Sequence, residues 1–153
     1  MNFKKLSKEQ ALVQIKQFCV YRERCHSEVK DKLYSLGLYK KDVELLMAQL
    51  VEENYLNEER FAKQYAGGKF RMNKWGRVKI KYALKQKYIS DYCIKKALKE
   101  ITEIDYYKTL TKLAEQKLKT LKNEKNIFTR KKKLQDYLLQ KGYESELVRN
   151  VNN

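Results

Sequence analysis

Three stretches of this 153-residue chain carry the same ladder of mostly apolar residues. In each stretch the five positions follow one another at intervals of four, four, one and five residues, and the copies are offset by 51 and 54 residues. The copies are Val29, Leu33, Gly37, Leu38 and Val43; Ile80, Leu84, Tyr88, Ile89 and Ile94; and Leu134, Leu138, Gly142, Tyr143 and Val148. Such self-similarity indicates a modular array, which usually presents a long surface to a partner rather than one deep catalytic cleft.

The apolar spacing predicts an all-α fold of three tandem three-helix repeats that form an elongated, curved array. The chain has no proline and five glycines, and it lacks the β-branched runs that would indicate a sheet. We place the repeats at residues 7–54, 55–104 and 105–153, with helix starts capped by Ser7, Asn57 and Ser90. Each repeat is too small for a large core of its own, so packing between repeats should matter.

Two apolar stripes are predicted for the middle repeat, one on each of its first two helices. The first stripe comprises Phe61, Tyr65, Gly68 and Met72, with Phe70 facing away, and the second comprises Ile80, Leu84 and Tyr88. Glycine inside a helix costs about 1 kcal/mol against alanine. The pair Gly67–Gly68 therefore predicts either the close approach of a neighbouring helix or a local kink.

Positive charge is concentrated in the middle of the chain. The formal net charge is +16, of which residues 1–56 contribute +2, residues 57–104 contribute +8 and residues 105–153 contribute +6. Ten basic residues and no acidic residue lie between Arg60 and Ser90. Self-repulsion on this scale destabilises a compact fold unless a polyanion neutralises it. Nucleic acid is the commonest such partner; an acidic protein groove, an anionic membrane and a merely solubilising lysine surface are the alternatives.

Basic residues on the predicted outward faces are candidate contacts to phosphate or to an acidic partner. They are Arg60, Lys63, Arg71, Lys74, Arg77, Lys79, Lys81 and Lys85, together with Arg130 and Lys131 at the start of the eighth helix. Tyr82 lies among them and is a candidate for stacking on a base. No cluster of residues suited to reading base edges stands out, so any DNA binding should be independent of sequence.

The chemistry available to the chain argues against an enzyme, a cofactor or a metal site. The chain has a single histidine, and Gly68–Lys69 lacks the flanking residues that a phosphate-binding loop requires. Three cysteines, Cys19, Cys25 and Cys93, lack metal-site spacing and are expected to be free thiols. The start Met1–Lys5 shows no signal peptide and no apolar run is long enough to span a membrane, which predicts a cytoplasmic protein without a membrane partner.

The segment Tyr55–Tyr65, which reads Tyr-Leu-Asn-Glu-Glu-Arg-Phe-Ala-Lys-Gln-Tyr, resembles the RecX family of recombinase regulators. That family shows Gly-Tyr-Leu-Asp-Asp-x-Arg-Phe-Ala at this place. Its following Arg is matched by Arg71, its Gly-x-x-Arg-Ile by Gly76–Ile80, and its Leu-x-x-Lys-Gly-Ile by Leu84–Ile89. The resemblance covers about residues 11–101, and residues 105–151 share only the periodicity.

Four substitutions depart from the family pattern. Asn54 replaces Gly, Asn57–Glu58 replaces Asp-Asp, Lys79 replaces Arg, and Tyr88 replaces Gly. The first two keep a turn and a capped helix start, and Lys79 keeps the charge but not the two-pronged hydrogen bonding of arginine. With Tyr88 in place of Gly, the helix before it is expected to end without the usual cap.

The resemblance implies a cofactor-free helical protein that binds the RecA recombinase and acts in DNA repair and recombination. Such a protein lies in the groove of the RecA–DNA filament and inhibits filament growth, ATP hydrolysis and strand exchange; we expect a monomer. Arg71, Lys74, Arg77, Lys79 and Lys81 would then contact phosphate or acidic filament surface, whereas Arg60 could serve a partner or an internal ion pair. The alternatives are a stand-alone DNA-binding module with helix-turn-helix-like units, and a structural adaptor.

Overall fold

The computed structural model describes residues 5–151, which form nine α-helices and no strand. The helices are α1 (Lys8–Tyr21), α2 (His26–Ser35), α3 (Lys40–Glu52), α4 (Glu58–Asn73), α5 (Arg77–Gln86), α6 (Asp91–Lys99), α7 (Glu103–Thr120), α8 (Ile127–Gln140) and α9 (Ser145–Arg149). The predicted all-α fold is confirmed. The expectation for residues 1–4, and the end of the third repeat at 152–153, lie outside the described residues. No described helix is both long enough and apolar enough to cross a membrane.

The ladder in the sequence corresponds to one piece of structure that is built three times. Its first two positions lie on α2, α5 and α8, its last two follow the turn after each helix, and all twelve of these side chains are at most 7% exposed. Its third position has a positive φ each time, 92° at Gly37, 62° at Tyr88 and 100° at Gly142. Each ladder therefore marks a buried helix, a left-handed C-terminal turn and the buried start of the next helix.

Tyr88 occupies the turn rather than the core, and its predicted burial was wrong. The side chain is 85% exposed, because α5 ends at Gln86 and helical spacing no longer sets the direction of residue 88. The helix also keeps the usual cap. The Tyr88 N–H donates to Lys85 O at 3.0 Å and the Ile89 N–H to Leu84 O at 3.2 Å, the same pattern that surrounds Gly142.

The buried stripe of α4 also differs from the predicted one. Its buried residues are Phe61, Ala62, Ala66 and Phe70. Phe70 is thus in the core, where it stacks on Tyr106, and Met72 is 84% exposed. The predicted close approach of a neighbouring helix at the glycine pair was wrong as well, because a Cβ at Gly67 would meet the Arg71 guanidinium of the same helix and one at Gly68 would meet open space. The alternative, a local kink, stays a prediction.

The buried side chains form two cores. One core joins α1, α2 and α3 and includes Leu56. The other runs continuously through α4–α9 and also includes Cys25 from the turn before α2. Packing between units is therefore strongest between the second and third helix triplets, which share one core. The domain limits 7–54, 55–104 and 105–153 stay predictions.

We expect Tyr88→Gly to stabilise the fold by about 1 kcal/mol, because a left-handed backbone costs a non-glycine residue roughly that much and the exposed ring buries little surface. Urea unfolding followed by circular dichroism measures this. Tyr88→Ala is the matched control: it removes the ring, keeps a Cβ and should change stability by less than about 0.5 kcal/mol. A glycine variant that unfolds more easily than the alanine variant would contradict the expectation.

Candidate partner-binding surface

Arg60, one of the predicted contact residues, makes internal contacts. Its Nε donates to Glu23 Oε2 at 2.7 Å, and its other guanidinium nitrogens donate to Asn54 Oδ1 at 3.1 Å and to Asn54 O at 3.0 Å. Asn54 has a φ of 63° and forms the turn between α3 and α4. The guanidinium joins the α1–α2 turn to the start of α4, so Arg60 forms an internal ion pair, and its contact with a partner stays a prediction.

Arg77, the first residue of α5, lies in a second internal network. Its Nη1 is 2.8 Å from Glu144 Oε2, its Nη2 is 2.6 Å from Glu103 Oε1, and its guanidinium carbon lies 3.8 Å from the centroid of the Tyr106 ring. The Tyr106 hydroxyl donates to Glu144 and accepts from the Arg77 backbone N–H at 2.9 Å. Burial raises the pKa of Tyr106 and the Glu144 hydrogen bond raises it further, so the phenol stays a neutral donor.

The backbone at the start of α5 also lies close to the backbone of the turn between α8 and α9. The Gly76 N–H donates to Lys141 O at 2.8 Å, and the Val78 N–H donates to Gly142 O at 2.9 Å. A Cβ on Gly76 would lie 2.4 Å from the carbonyl carbon of Gly142, and one on Gly142 would lie 2.3 Å from Lys79 Cβ. Glycine at both positions is what permits this junction between the second and third triplets.

Lys63 and Lys85 face carboxylates at the surface. Lys63 Nζ lies 3.2 Å from Glu59 Oε1 and 3.3 Å from Glu100 Oε1, and these two hydrogen bonds raise the pKa of the ammonium. Lys85 Nζ is 3.8 Å from Asp91 Oδ1. Exposed ion pairs of this kind contribute little to stability. Either lysine can therefore leave its carboxylate and bind an anionic partner at a small cost in free energy.

The remaining predicted cations form no ion pair with a described residue, and their charge is uncompensated in that sense. No carboxylate oxygen of residues 5–151 lies within 4.0 Å of their charged groups. They are Arg71, Lys74, Lys79, Lys81, Arg130 and Lys131. Next to the last two, Lys132 pairs with Asp136 and Lys133 with Glu124, each at 3.2 Å. Of the four basic residues 130–133 at the start of α8, only Arg130 and Lys131 are therefore without an ion pair to a described residue.

A row of lysines on aromatic rings, which the sequence reasoning missed, lies beside Lys79. Lys69 Nζ is 4.9 Å from the centroid of the Trp75 ring and 5.5 Å from that of Tyr65, while Lys79 Nζ is 4.8 Å from Trp75 and Lys87 Nζ is 5.6 Å from Tyr65. We call these five residues the Trp75 ridge. The two half-buried rings lie against three lysine side chains that are themselves half-buried. The signal in the sequence was the spacing of four between Tyr65 and Lys69 and between Trp75 and Lys79.

The predicted cations of α5 do not form one surface. At about 100° per residue, Lys79 lies on one flank of the helix and Lys81 on the other. The contacts agree, since Lys79 Nζ donates to Gln140 O at 3.4 Å whereas Lys85, on the Lys81 flank, approaches Asp91 of α6. Tyr82 is 67% exposed between the two flanks. Its stacking role stays a prediction.

Comparisons with known proteins find relatives along most of the chain. The model of the RecX second three-helix domain matches residues 57–98, and that of the RecX third three-helix domain matches residues 103–151. The regulatory protein RecX of Clostridium perfringens strain 13 is 34% identical over 129 residues, which cover 84% of this chain and 60% of that protein. The one from Clostridium tetani is 37% identical over 127 residues, 82% of this chain and 58% of that protein. The chain thus matches about 60% of the length of these curated relatives.

Solved structures share the fold at lower sequence identity. A crystal structure of RecX from Lactobacillus salivarius matches with a TM-score of 0.85 and 22% identity over 93% of this chain and 92% of that one. A crystal structure of a regulatory protein RecX also matches with a TM-score of 0.85 and 22% identity, over 94% of this chain and 70% of that one. Both likenesses concern the helical architecture.

Arg77 and Lys81 lie one helical turn apart, so equal substitutions separate an internal role from a surface role. We expect Arg77→Gln to destabilise the fold by about 2 kcal/mol, because it leaves Glu144 and the Tyr106 network without their cation. Lys81→Gln, which removes the same charge from an exposed side chain, should stay within about 0.5 kcal/mol. Urea unfolding of the two variants is the measurement, and equal losses of stability would refute the internal role of Arg77.

Proposed function

The chain belongs to the RecX family, and we propose from this that it regulates the RecA recombinase by binding RecA and RecA–DNA filaments. In this proposal it inhibits filament growth, ATP hydrolysis and strand exchange by occupying the filament as a monomer, without catalysis or a cofactor. The curated relatives are named regulatory proteins. The resemblance over Tyr55–Ile89 supports RecA as the regulated target.

The observation that carries the proposal is the uncompensated charge of α4 and α5 within a RecX fold. Of the ten basic residues between Arg60 and Ser90, two are internal and two face surface carboxylates. The other six have no carboxylate within 4.0 Å in the described part of the chain. They are Lys69, Arg71, Lys74, Lys79, Lys81 and Lys87. A protein–DNA filament groove offers both DNA phosphates and acidic side chains, which complement such a surface.

The placement of these cations favours a groove over a flat partner surface. Lys79 and Lys81 lie on opposite flanks of α5, with Tyr82 exposed between them. A flat surface can contact one flank or the outward edge, whereas the walls of a groove contact both flanks together. We therefore propose that α5 enters the filament groove, with one flank toward DNA and the other toward protein.

A charge-reversal variant tests this placement. Arg71→Glu/Lys74→Glu/Lys81→Glu should weaken co-sedimentation with preformed RecA–DNA filaments by at least about tenfold and relieve the inhibition of RecA ATP hydrolysis, because attraction to phosphate becomes repulsion. All three residues are exposed, so the far-UV circular dichroism should not change.

The matched control reverses three exposed lysines of the first triplet, as Lys8→Glu/Lys30→Glu/Lys41→Glu. Both triple variants lower the formal net charge from +16 to +10, so a loss of affinity caused by total charge would appear in both. Equal co-sedimentation of the two variants would remove the middle triplet from the interface.

A second candidate function is a stand-alone DNA-binding helical module that does not depend on sequence. The Trp75 ridge favours it, because lysines beside aromatic rings suit the phosphates and bases of a single strand. In this alternative the protein needs no RecA, and its affinity comes mainly from the release of counterions.

Titration of a labelled single-stranded oligonucleotide, bare or coated with RecA, separates the two functions. A RecA regulator should bind the coated strand more tightly, and the preference should persist as salt rises. A stand-alone binder should gain nothing from RecA and lose affinity steeply with salt. Negligible affinity for both forms would support a structural adaptor and contradict both proposals.

A further inference from the structure

A cleft of about 250 Å³ opens between the end of α4 and one face of α7. Its lining residues are Lys74, Lys108, Thr109, Lys112, Leu113 and Gln116. We call it the junction cleft, because Lys74 follows α4 in the second triplet and the other five residues lie on α7 in the third. Half of the lining residues are lysines and none is acidic. The candidate residues predicted from the sequence included Lys74 but neither of the lysines of α7.

The cleft gathers positive charge that the protein does not neutralise. Lys108 and Lys112 are four residues apart on α7, a spacing at which like charges destabilise a helix. Lys74 adds a third cation, whose Nζ donates to the backbone O of Arg71 at 2.6 Å. Within residues 5–151, no carboxylate oxygen lies within 4.0 Å of any of the three ammonium groups.

The position of Lys74 opposite α7 is fixed by its backbone. Lys74 adopts a left-handed conformation with a φ of 59°, which is unusual for a residue other than glycine. Its carbonyl oxygen accepts a hydrogen bond from the Tyr143 hydroxyl at 2.9 Å, and Tyr143 is buried in the core shared by α4–α9. The third triplet therefore holds Lys74 in place against the face of α7 that carries Lys108 and Lys112.

We propose that the junction cleft binds a phosphate group of a nucleic-acid backbone. Lys74, Lys108 and Lys112 supply the charge, and Thr109 and Gln116 carry a hydroxyl and an amide that can donate hydrogen bonds to phosphate oxygens. The site joins the end of α4 to α7, so it extends the positive charge of the middle triplet onto the third triplet. A polyanion, which carries charges along its length, fits such an extended positive surface better than a single anion does. This inference rests on the proposed function, in which filament DNA supplies the phosphate.

The test compares two double variants that each remove two positive charges from α7 or the residues just after it. Lys108→Gln/Lys112→Gln empties the cleft of two cations, and the control Lys119→Gln/Lys122→Gln changes exposed lysines at and just beyond the far end of the same helix. Binding of a labelled oligonucleotide is measured over a range of salt concentrations. The cleft variant should reduce the slope of log affinity against log salt by roughly 1.4–1.8 and weaken binding roughly 25- to 60-fold near 0.1 M salt, and the control should keep the parent slope.

Thermal unfolding without DNA separates a binding role from a structural one. The cleft variant should unfold at the same or a higher temperature than the parent, because it removes like-charge repulsion. A lower unfolding temperature with a reduced slope, or equal slopes in the two variants, would overturn the proposal. Inorganic phosphate provides a further arm: stabilisation of the parent by free phosphate as strong as that by the oligonucleotide would overturn the assignment to a nucleic-acid backbone.

Co-sedimentation distinguishes a failure of the cleft from a failure of the proposed function. A cleft variant with the parent salt slope, in a protein that still sediments with RecA–DNA filaments, refutes the cleft alone. A parent protein that does not sediment with filaments, but whose salt slope depends on Lys108 and Lys112, refutes the RecA proposal and supports the cleft.

Discussion

The close backbone approach of Gly76 and Gly142 is the constraint on which the arrangement of the second and third triplets depends. Two hydrogen bonds cross it, and the Arg77–Tyr106–Glu144 network closes over one side. The Trp75 ridge and the junction cleft both lie next to this junction. The Trp75 ridge reaches it through the hydrogen bond from Lys79 to Gln140 O, and the junction cleft reaches it through the bond from Tyr143 to Lys74 O. A change that separated the two glycines would therefore alter the spacing of the cations as well as the fold.

Several residues that carry the family resemblance maintain the fold. In the Arg-Phe-Ala block, Arg60 pairs with Glu23, and Phe61 and Ala62 are buried. In the following motif, Gly76 permits the junction and Ile80 is buried. A guanidinium suits such internal positions because its rigid fork makes several hydrogen bonds at once, whereas a strongly hydrated ammonium is easier to leave in solvent. Lysines accordingly dominate the uncompensated charge.

Local patterns were sufficient to predict the helices and the twelve buried ladder positions, because helical period is a property of short segments. These patterns failed at Tyr88, because the helical period was extended past the end of α5. They also failed at Phe70, because two different faces of α4 could have been the buried one. The roles of Arg60 and Arg77 could not be found in this way, since their partners Glu23 and Glu144 are 37 and 67 residues away in sequence. The position of Lys74 opposite α7 likewise depends on how the helices pack, which the spacing of residues in the sequence does not specify.

The part of the chain with most of the positive charge is also the part whose helices share one core. Residues 57–104 and 105–153 contribute +8 and +6 of the net charge of +16, and α4–α9 within them share one core, whereas the nearly neutral first triplet has a core of its own. Repulsion among the cations opposes compaction, so the shared core must hold them at fixed spacing against that repulsion. A surface held in this way has little backbone left to order when an anion binds, and neutralisation removes the repulsion. Binding of an anionic partner should therefore stabilise the second and third triplets together, as one body, through the junction that joins them.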